Sequence, residues 1–104
     1  GASAKDKKRL EAELRQAFSR ETRDKKGALE KAEAKIAAVE RELATIDQQL
    51  VDPEFLKDSQ KIRDAYQRRE VLVRDHERLM SDWEELSLEL ETKKAELDRR
   101  LAAI

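Results

Sequence analysis

The chain is 104 residues long, 45% charged, 38% hydrophobic and 4% aromatic, with a formal net charge of -1. That length suits one domain, but the composition leaves too little apolar material for a broad globular core. The absence of cysteine excludes disulfides and thiolate metal sites, and no apolar run approaches the roughly 20 residues that span a bilayer.

Taken in chain order, Gly1-Ala2-Ser3 reads as a cloning scar, so the chain is expected to be cut from a longer protein. Residues 4–27 form a helical segment in which Leu10, Leu14, Ala17 and Phe18 supply an apolar stripe. The stretch "SRETRDKKG" (Ser19 to Gly27) that follows holds no apolar residue. It predicts either one helix with a polar middle or, the favoured reading, two helices jointed near Gly27.

From Leu29 the apolar positions are Leu29, Ala32, Ile36, Val39, Leu43, Ile46 and Leu50. Their alternating steps of three and four define a coiled-coil seam. Pro53 lacks a backbone donor and biases Asp52 away from helical angles, so this helix is expected to end near Leu50 or Val51 and the chain to turn over about residues 51–59. Asp58 or Ser59 can cap the next helix, and Phe55 and Leu56 can close the end of the seam as an apolar plug.

The second run reads Ile62, Ala65, Arg69, Leu72, His76, Leu79, Trp83, Leu86, Leu90, Lys93, Leu97, Arg100 and Ile104. It keeps the same phase to the last residue, and Tyr66, Val73, Met80 and Leu101 widen the stripe. A helix of this run would span roughly 65 Å. The first heptad run covers only half of it, so Leu90, Leu97, Leu101 and Ile104 require Leu10, Leu14, Ala17 and Phe18 as partners. The predicted fold is therefore all-α: a two-helix antiparallel coiled-coil hairpin over 28–104, with the N-terminal helical segment packed on the long second helix.

Charge follows the same plan. Net charge is +4 over residues 1–27, -4 over 28–58, +2 over 59–78 and -3 over 79–104. Antiparallel folding sets each block beside one of opposite sign, which favours self-pairing as a monomeric hairpin and weakens any free basic surface. With paired residues numbering to a sum of about 112, Ile36 faces His76 and the indole of Trp83 lies near Ala32, as core. Arg69 can bury its stem and reach water, or it can fix register; both readings stand.

Catalytic chemistry finds no foothold. His76 is the only histidine, and there is no glycine-rich phosphate loop, metal-ligand spacing or paired-carboxylate site, so neither a cofactor nor an enzymatic role is expected. The basic clusters "KDKKR" (Lys5 to Arg9), "RDKK" (Arg23 to Lys26) and Arg68, Arg69, Arg74 and Arg78 can contact phosphates in a sequence-independent, salt-sensitive mode. Interspersed acids make solvated pairing the plainer reading.

The order of "DKKRLEAELR" (Asp6 to Arg15), a heptad helix ending "LVDPEFL" (Leu50 to Leu56), and "ERLMSDWEELSLELE" (Glu77 to Glu91) resembles the C-terminal domain of bacterial ABC-F ATPases of the Uup and YheS kind. The resemblance implies a non-catalytic, cytoplasmic coiled-coil arm on an ATPase without a transmembrane part. Its partners would be the parent's own nucleotide-binding domains and ribosomal RNA or DNA, with ATP bound and hydrolysed elsewhere in the parent and a role at the ribosome in translation, or on DNA. Lys7, Lys8, Arg9, Lys25, Lys26, Arg68, Arg74 and Arg78 are the candidate phosphate contacts. A structural spacer or dimerisation coiled coil with no nucleic-acid role is the alternative. A weaker resemblance joins the chain to the coiled-coil arm that ends valyl-tRNA synthetases.

Overall fold

A computed structural model describes residues 3–104. Of the expected scar, Gly1 and Ala2 lie outside the described residues. The fold is all-α and antiparallel: helix α1 covers Ala4–Gln49, a single 3₁₀ turn covers Phe55–Lys57, and helix α2 covers Ser59–Ala102. By packing the chain divides into two units, Gly1–Glu30 with Glu84–Ile104, and Lys31–Trp83. Each takes a stretch of both helices.

α1 begins at a side-chain cap, since Ser3 Oγ accepts the Asp6 N–H at 3.1 Å. The acidic residue in that first turn also suits the positive end of the helix dipole. The helix then runs unbroken through Ser19–Gly27, so the joint expected near Gly27 is absent. Two facts account for this. Gly27 keeps an ordinary negative φ, and the seam does not lapse in the polar stretch, because Thr22 fills it.

In the Lys31–Trp83 unit, Ile46, Ala65 and Leu72 form the core, with Val39, Leu43, Leu50 and Phe55 packed against it. Leu72 is the most deeply buried apolar side chain, at 1% exposure, and burial of one such leucine contributes about 1.5 to 3 kcal/mol. Register is written in the cross-helix contacts. Arg68 meets Glu42, Arg69 meets Asp47, His76 meets Glu40 and Trp83 meets Glu33, pairs whose numbers sum to 110–116. That range takes in the expected sum of about 112. The Trp83 indole is half-buried and donates its N–H to Glu33 Oε1 at 3.1 Å.

The turn is built from local hydrogen bonds. Asp52 Oδ1 accepts the Glu54 N–H at 3.1 Å, and the Asp52 carbonyl accepts the Leu56 N–H at 3.1 Å. Asp58 rather than Ser59 caps α2, its Oδ1 accepting from the Gln60 and Lys61 N–H groups at 3.0 and 3.2 Å. Of the expected plug, Phe55 joins the core while Leu56 stays 43% exposed, because the 3₁₀ turn rotates successive side chains by about 120° and cannot aim both inward. Tyr66 is likewise 56% exposed. It leaves the stripe it was expected to widen, whereas Val73, Met80 and Leu101, each likewise one residue beyond a seam position, are half-buried.

In the other unit, Leu10, Leu14 and Ala17 line one shallow surface with Ile104, and Leu14, Ala17 and Phe18 line a second with Leu97. The N-terminal segment thus packs on the far part of α2 as its stripe required. Thr22 is fully buried, and its hydroxyl donates to the Phe18 carbonyl at 2.8 Å. Among the positions of α1 turned away from solvent, Glu11, Leu14, Phe18, Thr22, Lys25, Leu29 and Ala32 step by 3, 4, 4, 3, 4 and 3. The repeated four is a stutter that carries the seam across the polar stretch.

Four substitutions test this packing. Leu72→Ala is expected to cost about 2–5 kcal/mol in urea unfolding. Gly27→Ala, where an added methyl meets nothing within 4 Å, is expected to stabilise by about 0.5–1 kcal/mol; a loss would restore the joint. Thr22→Val, which removes a self-satisfied hydroxyl and keeps the shape, is expected to change stability by less than about 1 kcal/mol, whereas Thr22→Lys unfolds the unit bounded by Glu30 and Glu84.

Candidate nucleic-acid interface

The surface of both units is charged, and the question is which cations are already engaged. On α2, Arg68 is gripped by Glu42 through two near-parallel hydrogen bonds, Nε to Oε1 at 2.8 Å and Nη2 to Oε2 at 2.9 Å. The hydrogen bond from Arg68 is the main reason that the Glu42 carboxyl is held below the usual glutamate range, and the same bond raises the guanidinium above its own. Arg78 Nη2 is tied to Asp75 at 3.1 Å, one turn back on its own helix. Arg74 is exposed and makes no ion pair among the described residues.

Arg69, left open between two roles, reaches across to Asp47 at 2.9 Å. With its side chain 44% exposed, it touches both the facing helix and water. The polar seam position at His76 faces Glu40 at 3.0 Å, and in the other unit the one at Lys93 faces Glu21 at 3.8 Å. Arg100 instead bonds Glu96 on its own helix at 2.7 Å. Three of the four polar seam residues are therefore answered by a carboxylate on α1, which is how a seam tolerates them.

On α1, Lys25 Nζ lies 3.4 Å from Glu89 of α2. Lys26 Nζ instead stands over the Phe18 ring, 5.0 Å from its centroid, a cation–π geometry. Arg9 has Asp6 and Glu13 at 3.8 and 3.9 Å, both at the limit of an exposed ion pair. Lys7 and Lys8 are exposed and make no ion pair among the described residues. Of the eight candidates, Lys7, Lys8, Lys26 and Arg74 are thus free of carboxylates, while Arg9, Lys25, Arg68 and Arg78 each have one at hand.

The charge plan is realised unevenly. In the Lys31–Trp83 unit the acidic and basic stretches pair as the blocks predict, through Arg68, Arg69 and their carboxylates. In the other unit the first block holds nine lysines and arginines, yet only Lys25 among them pairs across to α2. Arg9 and Arg15 pair within α1, and Lys5, Lys7, Lys8, Arg20, Arg23 and Lys26 make no ion pair among the described residues. Block charge could not reveal this. It counts residues, whereas pairing requires that a lysine and a glutamate share one edge of the interface.

The surface depressions are shallow and open, lined by seam-edge residues such as Ile36, Met80 and Trp83 in one unit and Phe18, Lys26 and Leu90 in the other. No group of three or more histidines, cysteines or acidic residues is arranged to hold a metal among the described residues, and no helix among them is long and apolar enough to cross a membrane.

The family model described as the ABC transporter C-terminal domain matches residues 20–88. The chain belongs to that family and is a non-catalytic accessory domain of an ABC protein. No curated protein and no solved structure matches it.

One ion pair offers a direct check. Because the Glu42 carboxyl is depressed by Arg68, the contribution of the pair to stability is present above the ordinary glutamate range and is lost as pH falls through the folded value. Arg68→Gln is expected to return the Glu42 titration, followed by NMR of its side-chain carboxyl carbon, toward that ordinary range. An unchanged midpoint would show that Arg68 is not the cause.

Proposed function

We propose that this domain is the coiled-coil arm of a soluble ABC-F ATPase of the Uup and YheS kind, and that it binds the sugar-phosphate backbone of ribosomal RNA or DNA. The parent's nucleotide-binding domains would bind and hydrolyse ATP and lie against the arm in the same chain. Six basic residues of the first block without an ion pair, Lys5, Lys7, Lys8, Arg20, Arg23 and Lys26, are the observation that supports this reading. Cations left unpaired on a self-pairing coiled coil are available to release counterions from a polyanion. Lys7, Lys8, Arg9, Lys25, Lys26, Arg68, Arg74 and Arg78 are the proposed contacts, with Lys7, Lys8, Lys26 and Arg74 free to act without first giving up a carboxylate. Leu10, Tyr66 and Leu88 are exposed on the two long helices and Val51 and Leu56 at the turn, and single exposed apolar residues do not define a dimer interface.

Titration of fluorescently labelled ribosomal RNA and duplex DNA with the chain is expected to show saturable binding at low salt that weakens steeply toward physiological salt. Light scattering over the same concentrations is expected to report a monomer. A flat titration at low salt would leave the spacer reading in place.

A further inference from the structure

Beside the seam of the Lys31–Trp83 unit runs a second, shallower line. Antiparallel right-handed helices turn the residue that follows each seam position to the same side of the pair. Here those residues alternate in kind: Val51 and Tyr66 form one layer, Asp47 and Glu70 the next, then Ala44 and Val73, Glu40 and Glu77, and Ala37 and Met80, every pair numbering to a sum of 117. The contacts of Arg69 with Asp47 and of His76 with Glu40 join the α1 member of each acidic layer to the seam residue just before its α2 partner, so the two rows face one groove. One end of it is the shallow depression lined by Glu33, Ile36, Ala37, Glu40, Met80 and Trp83.

The apolar layers are open to water. Val51 and Tyr66 are 76% and 56% exposed, Ala44 is exposed, and Ala37, Val73 and Met80 are half-buried. Neither row holds a lysine or an arginine between these ends; Arg63 comes next at the turn. Arg69 and His76 reach up from the seam floor to Asp47 and Glu40. Glu70 and Glu77 make no ion pair among the described residues, although Arg74 stands one position further round between them.

The geometry points to this groove as the docking site of a basic amphipathic helix from a protein partner, laid along the pair as the third layer that the hairpin lacks. From Tyr66 to Met80 the apolar layers recur every seven residues over about 21 Å, the repeat that a helix with apolar residues at three-four spacing presents in return. Ala37 and Ala44 leave room opposite Met80 and Val73, while tyrosine and methionine are side chains that adapt to a partner's surface. Charge selects the occupant. Glu33, Glu40, Asp47, Glu70 and Glu77 line the groove against the single guanidinium of Arg69, so lysines and arginines flanking the partner's apolar stripe meet carboxylates on both walls, and an acidic helix or a nucleic-acid backbone is repelled. None of the eight cations proposed for nucleic acid stands in either row, so the two surfaces act independently.

Trp83, the only tryptophan, lines the groove and reports its occupancy by fluorescence. The probe is a tryptophan-free peptide of about 18 residues, long enough as a helix to cover the layers, with leucines at three-four spacing flanked by lysines. It is expected to change Trp83 emission saturably, whereas the same peptide with glutamate for lysine, or with serine for leucine, does not. In the 104-residue chain Glu70→Lys/Glu77→Lys is expected to weaken binding about tenfold, and the matched charge change Asp82→Lys/Glu85→Lys, off the groove, by less than about twofold, with circular dichroism verifying that both stay helical. Tyr66→Ala, which removes an exposed ring, is expected to weaken it as well. No response of Trp83, equal losses in the two double variants, or an equal response to the serine peptide overturns the groove as a helix-docking site. A concentration-dependent dimer in light scattering that Glu70→Lys/Glu77→Lys dissolves makes the occupant a second copy and overturns the partner.

Discussion

The lack of a third layer is the constraint on which everything else in this protein depends. Two helices alone can bury only the narrow line along which they touch, so each apolar residue counts only if it falls on that line. Leu72, Ile46, Ala65, Ala32 and Leu97 are buried; most other apolar residues are half-covered at the edge. A seam this narrow cannot tolerate unanswered polar residues, and the protein answers them in two ways. Arg69, His76 and Lys93 reach carboxylates on the facing helix, and Thr22 turns its hydroxyl back to its own helix.

The same constraint separates structural from available charge. A cation at the seam edge is in reach of the opposite helix and is drawn into register contacts, as Arg68, Arg69 and Lys25 are. A cation one position further round faces water. Function on such a scaffold is therefore expected on its flanks, where side chains owe nothing to folding. Membership of the ABC transporter C-terminal domain family is consistent with an accessory domain that presents a surface.

Much of this was legible because coiled-coil physics is nearly one-dimensional. The three-four spacing of Leu29 to Leu50 and of Ile62 to Ile104 gave both helices and the antiparallel pairing, and Pro53 gave the turn. The joint expected near Gly27 is absent because the residue that continues the seam there is a threonine displaced by a stutter. Polar character alone does not break a helix when a hydroxyl can bond the carbonyl four residues earlier. Leu56 stays exposed because a single 3₁₀ turn cannot aim both it and Phe55 inward.

The sequence by itself determined the class of the fold, the order of its elements and the register to within a few residues, because each of these depends on periodicity along one chain. Which basic residues remain free was decided only by tertiary structure. Charges pair across an interface according to which edge each helix presents, and that follows from rotation of the two helices about their own axes. A difference of one residue, about 100° around the helix, separates Lys25, held by Glu89, from Lys26, which faces outward over Phe18.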